Sequence, residues 1–226
     1  SIARKTVWTL FAAQCFGSTS FLAVTTVNSL AGAQLGGSQA WGGVPMAIYQ
    51  LGSALAAFGW GYGMDRLGRR GGLTLGLALG VFGSALAGGA VVGQSLILFL
   101  GGMVLIGMAN SAVNLARFAA AEVHPPDERG RAISNVVIGG TAGTLLWPLL
   151  SRTGPWLEGL GVNELVWPFG ISLLLLVIAA FIIAALLRPD PRDVGREIAV
   201  LIAKQEHSAA PASLPARSIG QIMREP

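Results

Sequence analysis

Apolar residues run along this chain in six long blocks, at 7–30, 41–62, 72–93, 95–117, 132–151 and 165–187. Short polar breaks separate them. Each block is about 20 residues long, the length a helix needs to cross the hydrocarbon core of a bilayer. The blocks are filled continuously and do not alternate every second residue, which argues for spanning helices and against the strands of a membrane barrel. Most breaks are rich in charge, and the blocks are nearly free of it.

Composition agrees. Of 226 residues, 53% are hydrophobic and only 12% charged, against about a quarter charged in soluble domains. The chain carries 32 glycines. Small residues let membrane helices approach closely, and the stretches 76–80 and 139–143 read as packing faces of that kind. The formal net charge of +4 is not a nucleic-acid patch, because the positive residues are spread over alternate breaks. Fourteen of the fifteen lysines and arginines, Arg4, Lys5, Arg66, Arg69, Arg70, Arg117, Arg129 and Arg131 among them, fall on one side of the six blocks. Arg152 alone falls on the other. Positive residues mark the cytoplasmic side, so both ends are expected in the cytoplasm, with an even number of spans. The first block is long enough to span, and we expect it to stay as a helix instead of being cleaved as a leader.

Little here suggests an enzyme. The single cysteine, Cys15, lies inside a block and reads as packing. His124 and His207 lie outside the blocks, so intramembrane proteolysis would lack its buried base. No spacing of ligands calls for a metal or a cofactor. No acid lies mid-span, and Arg117 is the ionisable residue nearest to doing so.

Two stripes of polar residues do stand out. Gln14, Ser18, Phe21, Thr25 and Asn28 recur at steps of four and three on the first block. Met103, Gly107, Asn110, Asn114 and Arg117 do so on the fourth. Such spacing puts each set on one helix face, where it would either line a water-filled cavity or bond between helices. The sixth block is nearly all apolar from 171 to 187 and is expected to face lipid.

Between the second and third blocks lies Gly61-Tyr-Gly-Met-Asp65-Arg66-Leu-Gly68-Arg69-Arg70. It reads as the elbow of a helical hairpin at the membrane surface. Gly61 would let two helix ends approach, Gly68 would permit the reversal, and Asp65 would accept from a helix start or an arginine. The pattern Gly-x-x-x-Asp-Arg-x-Gly-Arg-Arg resembles the signature of the major facilitator superfamily between its second and third helices. The break 121–132, with Glu122, Pro125 and Arg129-Gly130-Arg131, resembles the corresponding loop between the fourth and fifth.

That resemblance implies an all-α membrane protein, here one six-helix half of a transporter built as an inverted three-plus-three repeat. It implies that the first and fourth helices line the substrate cavity, with Gln14, Ser18, Thr25, Asn28, Met103, Asn110 and Asn114 as candidates. It implies a conformational latch at Gly61, Asp65, Arg66, Gly68, Arg69, Arg70, Glu122 and Arg129, centred on Asp65, Arg69 and Glu122. Two features depart from the proton-coupled drug exporters of that superfamily. Met103 stands where many have an arginine, and 139–143 lacks their Gly-Pro pair.

Past 187, Arg188-Pro189-Asp190-Pro191 closes the last block. Residues 192–206 read as an amphipathic surface helix with Val194, Ile198, Leu201 and Ile202 on one face. A linker at 208–215 and a short helical stretch at 218–224 follow. We therefore expect a transmembrane bundle over 1–187 and a cytoplasmic segment over 188–226. That segment would lead to a second six-helix half, in the same chain, a split chain or a second copy. The expected activity is secondary transport of a small solute across the cytoplasmic membrane by alternating access. The alternative is a non-transporting six-helix subunit that pairs with other membrane proteins.

Overall fold

The computed structural model describes residues 2–159, 161 and 163–209. Five of its helical stretches are long and apolar enough to cross a membrane. One of them includes the 49-residue helix Val44–Val92. At 1.5 Å per residue that helix would be about 74 Å long, more than twice the hydrocarbon core of about 30 Å. It is broken at Gly68, whose φ of 80° and ψ of 166° lie in a region open essentially to glycine alone. The stretch is therefore two crossings joined at a hinge.

We number the helices α1 (Ile2–Gly36), α2 and α3 (44–67 and 69–92), α4 (Leu96–Glu122), α5 (Arg129–Ser151), α6 (Trp167–Leu186) and α7 (Pro191–Ala209). The first six pack as an all-helical bundle. A 3₁₀ turn at Gln39–Gly43 and a short helix at Gly154–Gly159 lie in connections at one end. The Gly68 hinge, the α4–α5 turn and α7 lie at the other, which also carries most of the basic residues and is called the basic end below.

Glycines set the helix spacing. Gly52 of α2 lies against the backbone of Val104, and Gly107 of α4 against the carbonyl of Tyr49, so α2 and α4 touch almost backbone to backbone. Gly76 and Gly80 of α3 meet Ala112 and Ala109 of α4. Gly139 and Gly143 of α5 meet the carbonyls of Phe11 and Cys15 of α1. This is the small-residue packing expected of helices in lipid.

Hydroxyls add directional bonds. Ser172 of α6 joins Ser20 of α1 at 2.6 Å and Ser84 of α3 at 2.9 Å. Thr19 donates to its own helix at Cys15 and accompanies the α1–α5 contact by its 2.8 Å approach to the Gly143 carbonyl. These contacts correct the expectation that α6 simply faces lipid. One face, with Phe169, Ser172, Leu176, Ala179 and Ile183, is buried against α1 and α3. The opposite face, with Leu174, Val177 and Phe181, is exposed. A nearly all-apolar helix with a single serine has no polar stripe to reveal its inner face, so the sequence concealed it.

α7 lies across the basic end, touching α3 and α4. Gly195 allows this, because a Cβ there would stand 2.8 Å from the Glu122 carbonyl. Val194 and Ile198 are half-buried and Leu201 is exposed. The helix continues through Ser208 and Ala209, where a linker was expected to begin. The rest of that linker and the stretch 218–224 lie outside the described residues.

Candidate functional site: a charged hinge beside a polar face

The hinge gathers the ends of α2, α3, α4, α6 and α7. Arg69 starts α3 and donates Nε and a terminal nitrogen to the Glu122 carboxylate at the end of α4, over 2.6–3.0 Å. Its other terminal nitrogen lies 3.3 Å from Asp65 on the last turn of α2. The hydrogen bond to Glu122 raises the Arg69 pKa above its usual value, although burial pulls it the other way. Arg69 and Glu122 are partly buried, at 21% and 29% side-chain exposure, while Asp65 is 70% exposed. Asp65, Arg69 and Glu122 are thus in one cluster.

Arg70 turns the other way. Its guanidinium donates to the Ala184 carbonyl in the last turn of α6, which suits the negative end of a helix dipole. Arg66 stacks over Tyr62, 4.4 Å from the ring centre. Arg129 donates to the His124 carbonyl at 3.3 Å and steadies the α4–α5 turn. Gly61 does not hold two helix ends together in this bundle, since a Cβ placed there would meet no other helix among the described residues within 4 Å. That part of α2 looks out of this bundle.

Asp190 was missed from the sequence. Its carboxylate accepts from the backbone N–H groups of Arg69 at 3.1 Å and Arg70 at 3.0 Å, and from Arg192 at 3.0 Å. One side chain thereby caps the starts of both α3 and α7. Asp before proline at the start of an amphipathic stretch does signal a cap. That signal points only to its own helix, however, and the service to α3 needs the fold.

The polar stripes split. Toward the end opposite the hinge they are packed away. Met103 is fully buried in the core and Phe21 is buried. Asn28 is buried with its amide 3.6 Å from the Met46 sulfur. Thr25 donates to the Leu22 carbonyl of its own helix. Met103, Phe21 and Asn28 therefore do not line an open cavity in this bundle. The reason is the close α2–α4 contact at Gly52 and Gly107, which closes that end.

Toward the basic end the face opens. Gln14, Ser18, Asn114, Arg117, Thr141 and Thr144 line a hollow of about 290 Å³ between α1, α4 and α5. A second hollow, of about 510 Å³, lies between α2 and α4 and is lined by Gln50, Ser53, Ser111, Asn114 and Arg117. Asn110 is half-buried and accepts from the Asn114 amide at 3.4 Å. Gln50, Ser53, Thr141 and Thr144 were not singled out in the sequence, because they sit on helices whose remaining polar residues form no stripe. Among the described residues no group of acids, histidines and cysteine could hold a metal ion.

The family model described as Major Facilitator Superfamily matches residues 8–221. The chain belongs to the major facilitator superfamily. Within that superfamily it is 34% identical over 199 residues to the uncharacterized MFS-type transporter YddS of Bacillus subtilis, covering 87% of this chain and 45% of the relative. It is 31% identical over 201 residues to the uncharacterized MFS-type transporter YdeG of the same organism, covering 88% and 46%. A third relative, the riboflavin transporter RfnT of Brucella anthropi, is 30% identical over 148 residues, covering 66% and 37%. The chain thus spans about half the length of the curated relatives it matches. Family and helices together make it a multi-pass membrane protein of a transporter superfamily.

Proposed function

We propose that this chain is the N-terminal six-helix half of a secondary active transporter, which moves a small solute across the cytoplasmic membrane by alternating access. The observation that carries the reading is the polar face toward the basic end. Gln14, Ser18, Asn114, Arg117, Thr141 and Thr144 share one hollow in a bundle otherwise clad in apolar side chains. Exposing such a face to lipid is costly, and polar residues at membrane depth commonly mark a solute path. The covered half-length of the relatives supports a second bundle opposite that face. Residues from 188 onward would lead to it.

On this reading the basic end is cytoplasmic, following the distribution of lysine and arginine. The cluster of Asp65, Arg69, Glu122 and Asp190 is the latch on that side. It ties α2, α3, α4 and α7 into one rigid piece, and Asp65 is left exposed to meet the second half. The substrate of one relative, riboflavin, belongs in an uptake panel.

The test uses the full-length gene product with Cys15→Ser and one cysteine at Thr141. Right-side-out and inside-out vesicles are treated with an impermeant thiol reagent. Alternating access expects labelling from both sides, because the cavity face is open to each in turn. Labelling from one side only, or from neither, would favour the non-transporting subunit.

A further inference from the structure

We propose that the hollow between α1, α4 and α5 binds a small organic anion, whose charge is held by Arg117 and which donates an N–H or O–H to Gln14. This rests on the transporter reading and names the class of solute.

Three observations carry it. First, Arg117 borders both polar hollows, and neither lining set contains Asp or Glu. Among the described residues its guanidinium meets only the ring of the neighbouring Phe118, 5.2 Å away. Arg117 is exposed, near the α4 end at Glu122, and a cation that lines a polar hollow holding no acid offers a partner to an anion from elsewhere. Second, its direction is set by the helix. Side chains lean toward the N-terminus of their own helix. α4 begins at the end away from the hinge, so Arg117 leans into the bundle and not out toward the basic surface. It accordingly shares a hollow with Gln14, Ser18, Thr141 and Thr144 of the mid-bundle. Third, Gln14 Oε1 is buried and lacks a hydrogen-bond partner within the described residues. An orphan acceptor of this kind is rare in native proteins. Gln14 lines the same hollow, and a turn of its amide would present this buried acceptor to a donor on the bound molecule.

The rest of the lining fits a neutral, hydrogen-bonding frame. Thr144 donates to the Thr141 carbonyl at 2.7 Å, and Thr141 lies 3.5 Å from the Val137 carbonyl. Their hydroxyl protons are thus engaged by their own helix, and their oxygens face the hollow as weak acceptors. Arg117 is left as its single full charge. Selectivity should then depend on the sign of the solute's charge more than on its shape. An acid from the second half could instead neutralise Arg117, and the test separates the two.

The full-length protein is purified, and its thermal unfolding is read with matched pairs of small acids and their amides. Benzoate and benzamide, nicotinate and nicotinamide, lactate and lactamide, and succinate and succinamide serve as probes. The proposal expects at least one acid to raise the unfolding temperature while its amide does not. Titration of that acid should weaken by about tenfold to a hundredfold in Arg117→Gln, with partial recovery in Arg117→Lys. Gln14→Glu, which places a like charge in the hollow, should abolish it. Acids and amides acting alike, no acid acting, or acid binding retained in Arg117→Gln would each overturn the anion site. An Arg117 paired with an acid of the second half gives the last two results. The two-sided labelling of Thr141→Cys needs no solute, so the transporter reading can stand or fall separately.

Discussion

The Asp190 carboxylate lies against the bare Cα of Gly68, where a Cβ would stand. The hinge residue is held by two requirements at once. Its φ of 80° and ψ of 166° suit glycine, and its missing side chain leaves room for the cap of α3. Gly68→Ala should lower unfolding stability by about 1–3 kcal/mol from backbone strain, and it should also displace Asp190. Adding Asp190→Ala would remove the clash but not the strain, so the double variant should stay destabilised. Denaturant unfolding of the full-length protein in detergent checks this. A Gly68→Ala protein as stable as its parent refutes the need for glycine.

Asp190 joins α3 to α7 through three backbone N–H groups. Asp190→Ala should cost about 0.5–2 kcal/mol, the range for a lost N-cap. The amide protons of Arg69, Arg70 and Arg192 should also exchange faster with solvent. Asp190→Asn retains an acceptor oxygen and should recover part of the loss. If exchange changes at Arg192 alone, Asp190 caps only its own helix.

Arg69 and Glu122 form a bidentate pair at the junction of α3 and α4. Both remain partly exposed, so solvent screens much of their attraction. A double-mutant cycle with Arg69→Gln and Glu122→Gln should give a coupling of about 1 kcal/mol, the upper end for exposed pairs. Additive effects of the two substitutions would show that the pair is a contact of no energetic weight.

Ser172 is fully buried and bridges Ser20 and Ser84. Hydrogen bonds between membrane helices average about 0.6 kcal/mol. Ser172→Ala should therefore cost about 1 kcal/mol for its two bonds. Ser172→Leu should cost more, because the site between α1, α3 and α6 has no spare volume. A Ser172→Leu protein with unchanged unfolding would mean that α6 is loosely attached.

Much of this molecule is legible in its sequence, and the exceptions share a cause. The spans are legible because hydrocarbon thickness sets a length, and charge cannot be hidden inside it. The Arg69–Glu122 pair is legible through the two loops that carry the resemblance, each of which puts one partner at a helix end. Asp190 is not, since its partners lie 121 and 120 residues away in the chain. Nor is the burial of Met103 and Asn28, because a 3.6-residue period reports a shared face without saying what covers it. Glycine is equally ambiguous. Gly107 seats a neighbouring carbonyl, whereas Gly61 faces open space. Both lie on spans of similar composition.

Asp65 offers the sharpest test of the latch. Its side chain is 70% exposed and its contact with Arg69 is 3.3 Å, longer than any of the three bonds from Arg69 to Glu122. Stability alone gives it little to do, since exposed pairs contribute almost nothing. As a topology signal it would do less, because acids carry little weight in the positive-inside rule. If the exposed carboxylate instead meets the second half when the cytoplasmic side is closed, removing its charge biases the transporter without unfolding it. Asp65→Asn in the full-length protein should leave membrane level and unfolding temperature unchanged. It should raise labelling of Thr141→Cys from the cytoplasmic side and lower it from the outside, because the closed state loses a contact. Equal labelling ratios in Asp65→Asn and its parent would reduce the hinge to a structural clamp of Arg69, Glu122 and Asp190, with Asp65 a bystander.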